Sequence, residues 1–436
     1  MLRYLYTLAM YIATPFIVWR LALRGLHYRG YFQRWRERFG YFPDPGFADC
    51  VWVHAVSVGE VNAAQPLIEA LRRRYAPHPV VVTTVTPTGS ERVRKLFGDG
   101  VFHVYLPYDL PPAVGRFLDR LRPSLAVVME TEIWPNLFRQ CGRRGIPLAV
   151  VNARLSARSL RGYRPIRALV RGALAHVALV AAQSHADARR YCALGAVPAR
   201  VHVSGNLKYD MLLPRGVRDR GRGLRAQWGG ERPVWIAAST HEGEELAVLE
   251  AHMAVLARVP DALLLIAPRH PERFRAVVHT ARNLGFAVAT HSEGDASGET
   301  QCLVIDAMGV MMRYFAACDV AFVAGSLVPI GGHNVLEPAA LSKPVLVGPY
   351  TFNFEEVTRS LISAGGARRV RSANQLGAAV LALLSHPETL ARMSTAARMV
   401  CTRERGAVRR TMVLLARIFA RARYARAGNA ISARAR

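Results

Sequence analysis

The chain has 436 residues, is 51% hydrophobic and carries a formal net charge of +27. Such length and apolar content exclude a minimal single domain and allow two domains, each with its own core. The charge is almost all arginine, with lysine only at Lys95, Lys208 and Lys343, and it calls for an anionic partner: a membrane surface, a phosphorylated substrate or nucleic acid. The six cysteines are scattered without a C-x-x-C pair, and no histidine cluster has metal-ligand spacing. They read as reduced thiols of a cytosolic protein, with no metal site expected.

The first element is apolar. Tyr4 through Trp19 contains no charge, Arg3 precedes it, and Arg20, Arg24, Arg29, Arg34, Arg36 and Arg38 follow. A full membrane span needs roughly 20 apolar residues, so this segment spans only if Leu21–Leu23 extend it past a snorkelling Arg20; otherwise it lies in the interface. No small-residue cleavage site follows it. The positive flank places the body of the protein in the cytoplasm. Cations interleaved with aromatics at Arg34, Trp35, Arg36, Arg38 and Phe39 suit an anionic headgroup surface.

From residue 50 onward, short apolar runs alternate with amphipathic stretches. Strands are expected at 51–56, 80–84, 101–106, 125–129, 147–152, 177–182 and 201–204. The rhythm breaks from Lys208 to Gly223, then resumes with strands expected at 234–238, 263–267, 286–289, 303–306, 320–324, 344–347 and 368–370. Strand–helix alternation of this kind predicts parallel α/β sheets. The boundaries read as a membrane anchor over 1–25, a first Rossmann-like domain over 26–212 and a linker over 213–223. A second Rossmann-like domain over 224–402, a basic helix over 403–424 and a disordered tail over 425–436 complete the chain.

Glu60 lies in Ser57-Val58-Gly59-Glu60, directly after the first strand and at a helix start. In open α/β sheets that edge binds ligands, although a carboxylate in a first helical turn also simply complements the helix dipole. Glu130, in Met129-Glu130-Thr131-Glu132, follows another buried strand. Neighbouring strands would bring the two carboxylates to one rim, raising the pKa of at least one and fitting general acid–base work. Thr86-Pro87-Thr88-Gly89-Ser90 follows the second strand and reads either as an anion-facing loop or as an ordinary helix N-cap. Arg269, after Pro268 at a strand end, can meet a phosphate or form a surface ion pair. Gly331-Gly332-His333-Asn334, with Glu337 in the next helical turn, allows close approach of a phosphate and a carboxylate for ribose hydroxyls. His333 alone reads as a packing or capping residue.

Taken together these motifs resemble the Kdo (3-deoxy-D-manno-octulosonic acid) transferases of lipopolysaccharide synthesis. To those above are added Ile133-Trp134-Pro135-Asn136, Asn152-Ala153-Arg154-Leu155-Ser156, Gly205-Asn206-Leu207-Lys208, Ser239-Thr240-His241-Glu242-Gly243-Glu244-Glu245 and Pro268-Arg269-His270-Pro271-Glu272-Arg273. The likeness implies an α/β fold of GT-B type, with two Rossmann-like domains facing a cleft and an N-terminal apolar anchor helix. It implies inverting transfer of Kdo from CMP-Kdo, a substrate and not a cofactor, to a lipid A precursor (lipid IVA) at the cytoplasmic face of the inner membrane. Neither metal nor nucleic acid is implied. By the same likeness Glu60 is the base and Glu130 and Lys208 support the transition state. Pro268, Arg269, Gly309, Val310, Met311, Asn334, Val335, Leu336 and Glu337 would bind the nucleotide, and the first domain, with Ser57, Thr88, Gly89 and Ser90, would bind the acceptor. The family shows an acidic residue where this chain has Val310. Two other readings compete: a GT-B enzyme using a UDP-sugar, and a basic protein that binds lipid or nucleic acid without catalysis.

Overall fold

A computed structural model describes residues 1–294 and 296–434, with side chains described through residue 422. It divides into two compact units, one of residues 1–211 with 405–436 and one of residues 212–404. In the first unit the strands are β1 (Val51–His54), β2 (Val80–Thr84), β3 (Phe102–Tyr105), β4 (Leu125–Met129), β5 (Leu148–Ala153), β6 (Leu179–Ala182) and β7 (Val201–Val203). They pair in parallel in the order β3-β2-β1-β4-β5-β6-β7. The second unit contains β8 (Val234–Thr240), β9 (Leu263–Pro268), β10 (Val288–Thr290), β11 (Cys302–Val304), β12 (Val320–Val323), β13 (Val345–Val347) and β14 (Ala367–Arg369). Its parallel order is β10-β11-β9-β8-β12-β13-β14.

Each sheet is covered on both faces, which is why its central strands are continuously apolar instead of alternating. Trp52, Phe117 and Phe138 lie in the core on one face of the first sheet. Val53, Leu67 and Leu415 lie in the core on the other. The chain winds outward in two directions from one central pair, β1/β4 in the first sheet and β8/β12 in the second, where β11 turns back between β9 and β10. Outside the carboxyl ends of such a pair, diverging loops open a crevice, the place where doubly wound sheets bind ligands.

Five helices of the first unit bear on function: α1 (Leu2–His27), α2 (Val58–Arg74), α3 (Pro87–Phe97), α4 (Pro111–Leu121) and α5 (Pro135–Arg143). By length and composition α1 is apolar enough to cross a membrane, yet it is tied to the domain near both ends. Tyr6 donates its hydroxyl hydrogen to Asp109 at 2.9 Å, and Thr7 bonds Asn136 at 3.1 Å. Just past its other end Tyr28 donates its hydroxyl hydrogen to Glu91 of α3, and Gly25 is buried against the Phe32 ring, where a Cβ would collide. The half-buried positions 6, 7, 10, 13, 14, 17, 18 and 21 trace one helical stripe. The opposite stripe presents Tyr4, Leu8, Ile12, Phe16 and Trp19 to the outside.

The C-terminal part differs from expectation. The stretch read as a linker over 213–223 includes the first half of a helix, Val217–Trp228. Gly221 there is a packing residue: a Cβ would sit 2.5 Å from Ala316, so glycine lets this helix approach helix Met311–Ala317 closely. The last helix spans Ala407–Arg434, so the tail expected from residue 425 has helical backbone to Arg434, while Ala435 and Arg436 lie outside the described residues. That helix belongs to the first unit. Asp210 accepts the backbone N–H of Gly406 at 2.6 Å and of Val408 at 2.5 Å, capping orphan donors with a charge matched to the helix dipole. Arg410 donates to the Ser204 carbonyl at 2.8 Å, and Phe419 meets the Tyr75 ring at 4.7 Å.

Candidate active site

At the β1/β4 switch point the chain assembles four charged groups. Glu60 sits in the first turn of α2, and its carboxylate accepts the Val56 N–H at 2.9 Å. The Val56 carbonyl in turn accepts from Val85 at 3.1 Å, which fastens the Glu60 turn to the start of the Thr86–Ser90 loop. Burial raises the Glu60 carboxyl from 4.5 to about 8. The Val56 hydrogen bond and Lys208 pull it down, while Glu130 and Glu132 push it up. The site therefore holds a carboxylate that is a far better base than a free one, still partly ionised near neutral pH.

Glu130 follows β4 in a left-handed conformation, φ +55°. A non-glycine residue there is strained and must be held by its surroundings. Its N–H donates to Val151 at 2.9 Å and its carbonyl accepts the buried Tyr191 hydroxyl at 2.9 Å. Its carboxylate lies 3.7 Å from the Lys208 ammonium. Glu132, two residues on, is also raised, first by burial and then by Glu130.

Lys208 reaches this rim from a short turn after β7 that is fixed by buried amides. Leu207 donates to the Asn152 side chain at 2.9 Å, and Lys208 N–H donates to Asn206 at 3.0 Å. Asn152 is itself left-handed, φ +51°. The expected catalytic trio of Glu60, Glu130 and Lys208 is thus gathered in one unit, with Glu132 added.

The other first-unit residues divide. Ser57 stands at the N-cap of α2 and is half-buried. Thr86 caps α3 by accepting the Gly89 N–H at 3.1 Å, so the capping reading of this loop describes the free protein. Ser90 is 3% exposed and accepts from Arg34 at 3.3 Å. Thr88 alone of that loop presents an exposed hydroxyl.

In the second unit the expected nucleotide residues occupy several loops at the carboxyl edge of the sheet. Pro268 ends β9, and exposed Arg269 is fixed through its N–H to the Thr240 carbonyl at 2.9 Å. Gly309 is left-handed, φ +86°, ahead of Val310 and Met311, both half-buried against the core. Asn334 donates to Glu337 at 3.0 Å and accepts the Leu336 N–H at 3.2 Å. Val335 and Leu336 are buried, so they offer a ligand only backbone. The helix after the glycine pair is five residues long, Leu336–Ala340.

Sequence reasoning missed two features of this edge. Glu244 is fully buried, and its two oxygens accept four backbone N–H groups: His241 at 3.1 Å, Gly325 at 2.7 Å, Ser326 at 3.0 Å and Leu327 at 2.8 Å. It staples the loop after β8 to the turn after β12. Beside it His241 and His333 are joined Nε2 to Nε2 at 2.9 Å. The run Ser239–Glu245 was visible as a motif, but its partners lie some eighty residues downstream in another loop.

Comparison with known proteins converges on one family. The family profile described as 3-deoxy-D-manno-octulosonic-acid transferase (kdotransferase) matches residues 33–211. A 3-deoxy-D-manno-octulosonic acid transferase of Haemophilus influenzae is 42% identical over 95% of this chain and 98% of its own. Its counterpart from Bordetella pertussis is 40% identical over 94% and 98%. Among solved structures, UDP-GlcNAc 2-epimerase from Neisseria meningitidis aligns over 84% of this chain and 99% of its own, with TM-score 0.59 and 14% identity. A glycosyltransferase from Rickettsia africae aligns over 85% and 99%, with TM-score 0.54 and 13% identity. These two share the GT-B-like fold and nothing more. The sequence relatives, matched over nearly their full length, decide the rest: the chain belongs to the 3-deoxy-D-manno-octulosonic acid transferase family of glycosyltransferases.

Proposed function

We propose that this glycosyltransferase moves Kdo from CMP-Kdo to a hydroxyl of a lipid A precursor with inversion at the anomeric carbon, Glu60 serving as base. The observation that carries this reading is a half-buried carboxyl, held by the Val56 N–H and raised to about 8, at the ligand-binding edge of a doubly wound sheet. Glu60 takes the acceptor proton, the acceptor oxygen attacks the anomeric carbon, and the carbon–oxygen bond to phosphate breaks with its electron pair leaving on CMP. Lys208 holds Glu130 and keeps Glu60 partly ionised. In the second unit, Arg269, the Gly309–Met311 turn and the Asn334–Glu337 segment would hold CMP, and no further cofactor takes part.

The membrane assignment rests on α1. With both ends tied to the domain and one stripe packed inward, the outer stripe of Leu8, Ile12, Phe16 and Trp19 would sink into one leaflet. The arginines that follow favour the anionic cytoplasmic face of the inner membrane.

Purified full-length protein incubated with CMP-Kdo and a tetraacylated lipid A precursor is expected to add Kdo masses to the lipid by mass spectrometry. Glu60→Gln and Glu60→Ala are expected to abolish the addition while still binding CMP. Near wild-type turnover by either variant removes the base assignment. Acceptor-dependent release of UDP from a UDP-sugar, with CMP-Kdo inert, would replace the donor.

A further inference from the structure

A pair of histidines occupies the switch point of the second unit. His241 follows β8, and His333 follows the glycine pair in the loop after β12. Their rings lie within 1° of parallel, 5.1 Å between centroids, and meet edge to edge with the Nε2 atoms 2.9 Å apart. A third imidazole, His270 after β9, meets His241 edge-on at 5.3 Å. The arrangement is built rather than incidental. Gly325 is left-handed, φ +67°, and a Cβ on it would lie 2.9 Å from His333 and 3.4 Å from His241. Gly332 N–H donates to the Gly325 carbonyl at 2.7 Å, and Glu244 fixes the His241 backbone and the Gly325 turn together.

Two imidazole nitrogens at hydrogen-bond distance share one hydrogen on the line between them: one donates and the other accepts. The pair therefore titrates as a unit. Burial holds both rings below the ordinary histidine value, His333 at about 4. Arg269 and His270 oppose a proton on either ring, His241 opposes one on His333, and Glu244 and Glu245 favour one on His241. Empty, the pair is neutral at physiological pH. An anion placed against it would reverse that balance.

We propose that the His241–His333 pair is a proton-accepting subsite for the phosphate of CMP. The proposal deepens the reading of the second unit as the nucleotide-binding half and rests on it. In the donor that phosphate is a diester with one negative charge. As the sugar–oxygen bond breaks, the electron pair stays on the phosphate oxygen and the charge becomes two. One proton taken from solvent by the imidazole pair offsets the added charge, so the pair grips the leaving group more tightly than the intact donor.

Calorimetry of the full-length protein with CMP at pH 8, in two buffers of different ionisation heat, counts the protons exchanged. About one proton taken up per CMP is expected, with CMP affinity weakening about tenfold for each pH unit above neutrality. Cytidine, lacking phosphate, is expected to bind with no uptake. His241→Gln and His333→Gln are expected to lose the uptake while still binding cytidine, which also reports that they fold. CMP binding without proton uptake overturns the proposal while leaving the nucleotide reading intact, as does uptake that persists in both variants. Uptake with free Kdo and none with CMP would assign the pair to a carboxylate and overturn it too. Absence of any CMP binding removes the nucleotide reading, and the proposal with it.

Discussion

Glu60→Gln separates catalysis from stability in a way set by one number. The wild-type carboxyl rises from 4.5 in the unfolded chain to about 8 in the folded protein. Below pH 4.5 it is protonated in both states and has no effect on folding. Between the two values the unfolded chain ionises it while the folded protein keeps the proton, so stability is lost as pH rises through that window. At about 1.4 kcal/mol for each pH unit, the loss amounts to roughly 5 kcal/mol at most by pH 8. The glutamine variant has the same shape and no titration, so it escapes this loss. Urea unfolding of both proteins, at a series of pH values from 4 to 9, isolates the effect because every other group titrates in both. The variant, expected to be inactive, should grow steadily more stable than wild type as pH rises and level off above pH 8. A stability difference that stays flat over that range would refute the burial of Glu60 and, with it, the physical basis for its basicity.

Gly325→Ala puts a Cβ against His333 in a left-handed turn and is expected to cost about 1–3 kcal/mol of stability and to weaken CMP binding, read by thermal unfolding and calorimetry. Asp210→Asn removes the charge that caps the last helix and is expected to destabilise the protein by about 1–2 kcal/mol. Hydrogen exchange should then show loss of protection concentrated at Val408–Arg410; unchanged protection there would show the cap to be idle.

Most strands were legible as short apolar runs, and a buried parallel strand needs no more than that, although β14 is Ala367-Arg368-Arg369 and largely exposed. The carboxyl-edge positions of Glu60 and Glu130 followed from the same pattern. Strand order in the second unit was not legible. β11 inserts between β9 and β10, and a short apolar run says nothing about which neighbour it pairs with. The glycines of 216–223 looked like a linker because composition cannot distinguish a flexible glycine from one that admits a neighbouring helix. Glu244 and the histidine pair were hidden for a related reason: their partners are backbone groups and a ring contributed by a distant loop. The left-handed Glu130 and Asn152 carry no sequence signature at all, since it is surrounding hydrogen bonds that hold them there.

The last helix gives the chain a timetable. α2, which carries Glu60, and the turn that carries Lys208 both pack against the helix that begins at Ala407, far along the chain from either. The second unit, residues 212–404, is contiguous and can fold first. The unit containing Glu60 waits for Ala407, Leu415 and Phe419 before its core closes. A chain interrupted short of them would hold a complete second unit but an unfinished first one. The second unit can thus be complete while the first still lacks part of its core.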